Sequence, residues 1–358
     1  MSADEPQRVS SLELFFDLVF VFTVTQLTGM LAAGHDLAAL GQVAVLLALI
    51  WWMYDGYAWL TNAIPTSQAR FRVLLIGGMG AFLVIALAVP RDDGGLTFGL
   101  AYLAVVALHT GMFLGGATRE ILRIAPSNIG GAALLVAGGA IGGDVQWVLW
   151  TVVAVALWAT PWITGLEGFV VGPAHFVERH GLVVIIALGE SIVVIGAGAS
   201  ALALDGGLVL AVLLALALNA ALWWAYFSDE RAVEDAFAAN ARPQLALLAF
   251  GYWHYGLLLA VVAVAAGLKK GIGHPYDPLE TWIAIGLAGG TALFIACDVG
   301  FRRAFGLARN RARLLVAPPA LFTIPLGTEV GAAAQAGALS LLLLAALTAE
   351  RRYKSFAT

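Results

Sequence analysis

Residues 208–227 read Leu208-Val-Leu-Ala-Val-Leu-Leu-Ala-Leu-Ala-Leu-Asn219-Ala-Ala-Leu-Trp223-Trp224-Ala-Tyr226-Phe227, with no charged group from end to end. A helix needs roughly 20 predominantly apolar residues to cross the hydrocarbon core of a bilayer, and this stretch supplies them. Comparable runs recur from Leu14 to Leu347, separated by short segments rich in charge, proline or glycine. Of the 358 residues, 61% are hydrophobic and 12% charged, and the mean hydropathy is +0.89. An ordinary soluble domain is about 25% charged, so this chain lacks the polar surface to cover a water-soluble body. It reads as an all-α polytopic membrane protein.

Working outward from that run, the sequence predicts twelve transmembrane helices, at about 11–33, 38–61, 71–89, 97–117, 128–142 and 146–166, then 177–199, 206–228, 243–267, 279–301, 313–328 and 331–348. The fifth is short, and the eleventh carries Pro318, Pro319 and Pro325, so kinked or re-entrant paths are open to both. Loop charge sets the orientation. With both termini cytoplasmic, 16 of the 19 basic residues, Arg8 and the arginines at 302–313 among them, lie inside, and only Arg91, Lys269 and Lys270 lie outside. The expected location is the bacterial inner membrane, multi-pass. The first apolar run, broken by Glu13 and Asp17 and lacking a basic flank, does not read as a cleavable signal peptide.

An even helix count suggests two halves, 1–170 and 171–358, each a six-helix membrane unit. Trp51-Trp52-Met53-Tyr54 in helix 2 matches Trp223-Trp224-Ala225-Tyr226 in helix 8, as parallel repeats would. Aromatic belts place Trp and Tyr at this depth without duplication, so both explanations stand.

Charged residues inside such helices are the informative ones, because each costs at least about 2.5–3.5 kcal/mol at a helix centre. Glu13 and Asp17 stand four residues apart on one face of helix 1, continued by Thr25 and Thr28. Two adjacent carboxylates repel unless a proton or cation lies between them, or unless they pair with an arginine such as Arg179. Helix 7 carries Glu178-Arg179-His180-Gly181 and then Gly189-Glu190-Ser191. Eleven residues make about three turns, so Arg179 shares a face with Glu190 and His180 shares one with Ser191. Gly181, Gly189 and Gly196 would admit a close neighbouring helix. Asp55, following the first Trp-Trp-x-Tyr run, is expected at the same depth as Glu13, Asp17, Glu178, Arg179 and His180, so helices 1, 2 and 7 are expected to share one buried ionic network. His109 and His254 read as single structural histidines, Asp298 as a pair with Arg302, and Asp229 with Glu230 as loop acids beside Arg231. Glu329 fits either a break between helices 11 and 12 or the outer loop.

The net charge of −4 and the lack of a basic block exclude a nucleic-acid partner, and the single Cys297 excludes an intrachain disulfide and a cysteine metal cage. No zinc-type histidine cluster, phosphate loop or Ser-His-Asp order stands out, so neither metal nor cofactor is expected.

Ser11-Leu-Glu-Leu-Phe-Phe-Asp-Leu-Val-Phe-Val-Phe22 followed by Gln26, then Glu178-Arg-His-Gly-Leu182 followed by Ala187-Leu-Gly-Glu-Ser-Ile192, closely resemble two signatures of the bacterial low temperature requirement protein A family. The resemblance covers most of the chain and implies a multi-spanning bacterial membrane protein, without fixing a reaction. Phe16-Asp17-Leu-Val-Phe20 is more weakly similar to the Phe-Ser-Asp motif of the lysosomal potassium/proton channel family, with Phe replacing the Ser and no second copy in helix 7.

The leading expectation is a transporter or channel for a small solute or ion, with Glu13, Asp17, Asp55, Glu178, Arg179, His180, Glu190 and Ser191 handling protons or cations. The alternative is an integral-membrane enzyme acting on a lipid or isoprenoid-like substrate. There Asp17 and Glu190 would be buried proton donors, and some of the eleven Trp, eight Tyr and eighteen Phe would line an apolar cavity. A scaffold with structural ion pairs is the third. The expected partners are the lipid bilayer, that solute, ion or lipid-like molecule, and further copies of the chain in a homo-oligomer.

Overall fold

The computed structural model describes residues 9–34, 36–64, 68–116, 119–307 and 311–357, and among them regular structure is entirely helical. Arg8 and Arg309, assigned above to the cytoplasm, lie outside the described residues, as do the side chains of Arg311, Arg352 and Lys354. The helices are α1 (Ser11–Ala33), α2 (Leu37–Ala63), α3 (Ala69–Ala88), α4 (Gly95–Gly115), α5 (Ala125–Ile141), α6 (Gly143–Thr164), α7 (Pro173–Ala199) and α8 (Gly206–Phe227). They continue as α9 (Glu230–Ala238), α10 (Pro243–Gly271), α11 (Thr281–Ala304), the short α12 (Arg311–Leu314), α13 (Ala317–Leu321) and α14 (Ile324–Glu329), and α15 (Ala332–Ala357).

Ten of the described helices are long and apolar enough to cross a membrane. The two other expected spans behave as their sequences suggest. The fifth, α5, has 17 residues. The eleventh breaks into α12, α13 and α14, with prolines in the first turns of α13 and α14. Proline lacks an amide proton and fits only a first turn, so each proline start opens a new segment. Helix α9 was not expected. It is amphipathic: Val233 and Phe237, four residues apart, are buried, while Arg231, Glu234 and Asp235 face outward. The apolar-run criterion passes over such a helix.

The chain divides into two compact units, one of residues 1–30, 37–180 and 240–251, the other of 31–36, 181–239 and 252–358. The sequence placed its division at 170/171. In the first unit α4 packs against α3 and α5, and α5 against α6. A Cβ on Gly99 would lie 2.7 Å from the Val136 backbone, and one on Gly139 would lie 2.1 Å from the Gly95 carbonyl oxygen. Small residues let these backbones touch. In the second unit α10 pairs with α11 and α8 with α15.

Polarity within α1 is inverted relative to a soluble helix. Phe15 and Leu18 point outward, while Glu13 and Asp17 are buried beside Phe16 and Phe20. Where hydrocarbon surrounds the protein, an outward apolar face costs nothing and charges must find partners inside.

Candidate functional site

The site in the first unit begins with the start of α1. Ser10 and Glu13 form a capping box: the Ser10 amide and hydroxyl donate to Glu13 Oε2 at 2.8 and 2.7 Å, and the Glu13 amide donates to Ser10 Oγ at 3.4 Å. The other oxygen, Oε1, lies 2.9 Å from His175 Nε2 and 3.2 Å from Arg179 Nη1. The second of these is an ionic contact without hydrogen-bond alignment, since Nη1 and Nε of Arg179 make no hydrogen bond among the described residues. One turn along α1, Asp17 Oδ1 accepts from Arg179 Nη2 at 2.9 Å and from the Tyr54 hydroxyl. Asp17 Oδ2 has no hydrogen-bond partner there, and neither has His175 Nδ1. The Arg179 guanidinium also lies 5.7 Å from the Tyr54 ring centre and 5.9 Å from that of Phe16, within cation–π range. Glu13, Asp17, Tyr54, His175 and Arg179 are all buried. Two carboxylates therefore face one guanidinium.

Asp55 and His180 form an adjoining pair, 3.0 Å from Oδ1 to Nε2. The other ring nitrogen, Nδ1, lies 2.9 Å from the Phe176 carbonyl oxygen. A carbonyl only accepts, so Nδ1 carries a hydrogen, and the Nε2···Oδ1 contact then needs one more. The pair holds one proton, as imidazolium with carboxylate or as imidazole with carboxylic acid. Trp59 Nε1 donates to Asp55 Oδ2 at 3.2 Å. Trp51 Nε1 donates to the Gly251 carbonyl at 2.8 Å, in a π-helical turn that interrupts α10 over Leu247–Trp253. Asp55 also borders a cavity of about 490 Å³, its mouth included, among Trp52, Trp59, His109, Phe113 and Phe169.

The structure thus brings Glu13, Asp17 and Arg179 together and sets Asp55 against His180. Glu178 stands apart at the margin of the unit, where its Oε2 accepts from the Val9 amide at 3.2 Å. Glu190 and Ser191 belong to the second unit; both are buried, and Ser191 Oγ has no hydrogen-bond partner among the described residues. Of the expected polar stripe on α1, Thr25 bonds back to the Val21 carbonyl at 3.1 Å. Thr28 is buried with its hydroxyl unbonded among the described residues. The expectation that Gly189 and Gly196 admit a close helix is corrected, because a Cβ there would meet nothing within 4 Å. Sequence reading missed two members. His175 precedes the seventh span expected at 177–199, whereas α7 opens earlier, at Pro173. Tyr54 was noted only for its aromatic motif. The Ser10-x-x-Glu13 spacing, a capping-box signal, would have fixed the start of α1.

A second buried ionic cluster lies within the second unit. Arg302 Nε bonds both oxygens of Asp298 at 3.1 Å, and Nη1 bonds Asp229 at 2.5 Å. Arg302 Nη2 bonds the Ala225 and Tyr226 carbonyls at 2.6 and 2.9 Å. Arg313 bonds Glu350 at 2.6 Å through Nε, Asp298 at 2.5 Å and the Ala225 carbonyl at 2.7 Å through Nη1, and Ser228 Oγ at 2.6 Å through Nη2. The two guanidiniums close the C-terminal end of α8, whose last carbonyls lack helical partners. The expected Asp298–Arg302 pair is therefore part of a larger assembly. His109 and His254 have the structural bonds expected of them, to the Gly56 carbonyl at 2.9 Å and the Tyr226 hydroxyl at 2.8 Å. Glu329 is exposed. Among the described residues no group of three His, Cys, Asp or Glu side chains could hold a metal ion.

An uncharacterized protein of Rhizobium meliloti (strain 1021), RA0937, is 27% identical to this chain over 316 residues, which is 83% of this chain and 77% of that protein. The family model for the bacterial low temperature requirement A protein (LtrA) matches residues 8–349, taking in both signature segments, the first buried cluster and all of the second except Glu350. The chain is an integral membrane protein that belongs to the LtrA family.

Proposed function

We propose that the protein is a transporter or channel that moves a small solute or ion across the bacterial inner membrane, with the Glu13–Asp17–Arg179 cluster and the Asp55–His180 pair handling protons or cations. The observation that carries this reading is the charge count at the first cluster. Two buried carboxylates share one guanidinium, the His175 imidazole meets Glu13 alone, and Asp17 Oδ2 is left without a hydrogen bond. A buried charge without a partner is costly, so a proton or a cation completes the site, and taking it up and releasing it is transport chemistry. Asp17 is the exchanging group. Arg179 holds it in place, Tyr54 orients it, and Glu13 is committed to the helix cap. Asp55 and His180 hold one further proton, while Glu190 and Ser191 supply polar groups to the second unit.

The test is flux. Purified protein in proteoliposomes loaded with a pH-sensitive dye should carry a proton or cation current that Asp17→Asn abolishes. No flux under any imposed proton or cation gradient would sink the reading. The accompanying topology, with both termini cytoplasmic, expects single thiols introduced at the exposed positions 303 and 306 to be labelled from inside and those at 273–278 from outside; labelling from one side alone would overturn it. The aromatic cavity beside Asp55 favours a second reading, an integral-membrane enzyme in which a carboxylic acid protonates a lipid or isoprenoid-like substrate. Turnover of a prenyl or lipid substrate by the purified protein would establish it.

A further inference from the structure

The cavity beside Asp55 lies wholly within the first unit, and its polar groups show what would fill it. His109 is buried. Its Nε2 faces the Gly56 carbonyl at 2.9 Å and must donate, so Nδ1 presents a lone pair, and that nitrogen meets no hydrogen-bond partner among the described residues. A buried acceptor left unpaired costs about 1–3 kcal/mol, which a ligand's N–H would recover. Asp55 adds carboxylate character at the same wall. The Asn128 oxygen is already occupied by Trp52 Nε1 at 2.9 Å, which fixes both side chains. No Lys or Arg lines the cavity. The rest of the wall is apolar and includes Trp52, Trp59, Phe113 and Phe169, whose ring faces attract positive charge. An apolar lining, the open His109 acceptor, the carboxyl group of Asp55 and aromatic faces, with the Asn128 amide as a donor beside them, complement a short alkyl chain bearing a protonated amine.

We propose that this cavity binds a small alkylammonium ion, with its N–H groups directed to His109 Nδ1 and Asp55 and its alkyl part among the aromatic rings. The proposal rests on the transport reading and names the class of solute. Nothing covalent happens; the ion enters as a cation and leaves as one.

The experiment uses the full chain in detergent and follows the fluorescence of its tryptophans, two of which line the cavity. n-Butylammonium should quench saturably, and n-butanol, nearly the same shape without charge, should bind at least about tenfold more weakly. His109→Phe and Asp55→Asn should each weaken the ammonium by about tenfold or more. Phe169→Leu, at the half-buried edge of the cavity and leaving both acceptors in place, should weaken it about threefold and leave butanol unchanged. Size-exclusion profiles and melting temperatures identify any variant that fails to fold, and Phe169→Leu keeps the test alive if the buried variants do. Equal affinity for butanol and butylammonium, absence of saturation, or a folded His109→Phe that binds as before would overturn the proposal. Binding without flux under any imposed proton or cation gradient, butylammonium included, refutes the transport reading and leaves the site. Flux without butylammonium binding refutes the site and leaves the transport reading.

Discussion

The two buried ionic clusters contain the same ingredients and differ in how completely they are used. In the second unit every nitrogen of Arg302 and Arg313 has a bonded acceptor, and two buried carboxylates, Asp298 and Glu350, balance two guanidiniums, while Asp229 keeps 21% of its side chain exposed. In the first unit one guanidinium serves two carboxylates, two of its nitrogens make no hydrogen bond among the described residues, and one Asp17 oxygen has none either. Saturated guanidiniums hold their acceptors rigidly, whereas a buried guanidinium with unbonded nitrogens calls for an explanation. The second cluster is a clamp, and the first, on the transport proposal, is a receptor. The paired Trp-Trp-x-Tyr motifs divide the same way: Tyr54 bonds Asp17 of the open cluster, whereas Tyr226 bonds His254 and its own carbonyl serves the clamp.

Substitutions can break that contrast. The largest effect is expected for Arg302→Met, which takes one of two guanidiniums from Asp298 and the bonded partner from Asp229 and the Tyr226 carbonyl; unfolding in detergent should show a loss of about 3–5 kcal/mol. A loss below that of Arg179→Met would reverse the assignment. Replacing each arginine by lysine is a finer comparison, because lysine keeps the charge and loses the planar fork. Arg302→Lys should cost about 2–3 kcal/mol, since several acceptors go unfilled, and Arg179→Lys only about 1 kcal/mol while flux falls. At Asp17 the two properties should part completely. Asp17→Asn leaves one carboxylate facing one guanidinium, so stability should hold within about 1 kcal/mol while transport is lost. A marked loss of stability would make Asp17 an ordinary structural partner. Glu190→Gln should likewise preserve the melting temperature and reduce flux; the reverse outcome would place Glu190 with the structural set. The smallest effect belongs to Arg91→Ala. Its pair with Asp93 at 3.1 Å is open to water, and although Arg91 holds the Asp93 carboxyl below its usual range, no change in melting temperature is expected.

Apolar length and proline placement carried most of the fold. The start of α1 at Ser11 and the break of the eleventh span follow from local chemistry that a sequence displays, namely a capping box and prolines that cannot donate. The juxtaposition of Glu13, Asp17 and Asp55 with Arg179 and His180 was legible because charges at one depth must neutralise one another. What stayed hidden depended on contacts from distant segments. Nothing local in Arg313 announces that it meets Asp298 and Glu350, and His175 lies ahead of the seventh span as expected at 177–199, because α7 begins at Pro173. Whether an arginine is saturated is a property of the assembled acceptors, so no one-dimensional reading separates the clamp from the receptor.

The Ser10–Glu13 cap has a kinetic consequence. One carboxylate both winds the first turn of α1 and contacts His175 and Arg179, so fraying at that terminus and opening of the charged site are a single mechanical event. The Ser10 amide, donated to Glu13 Oε2, is then a built-in reporter. Its exchange with deuterated solvent should slow when the site is filled and quicken when it empties, so the occupancy of a buried centre can be timed from the end of a helix.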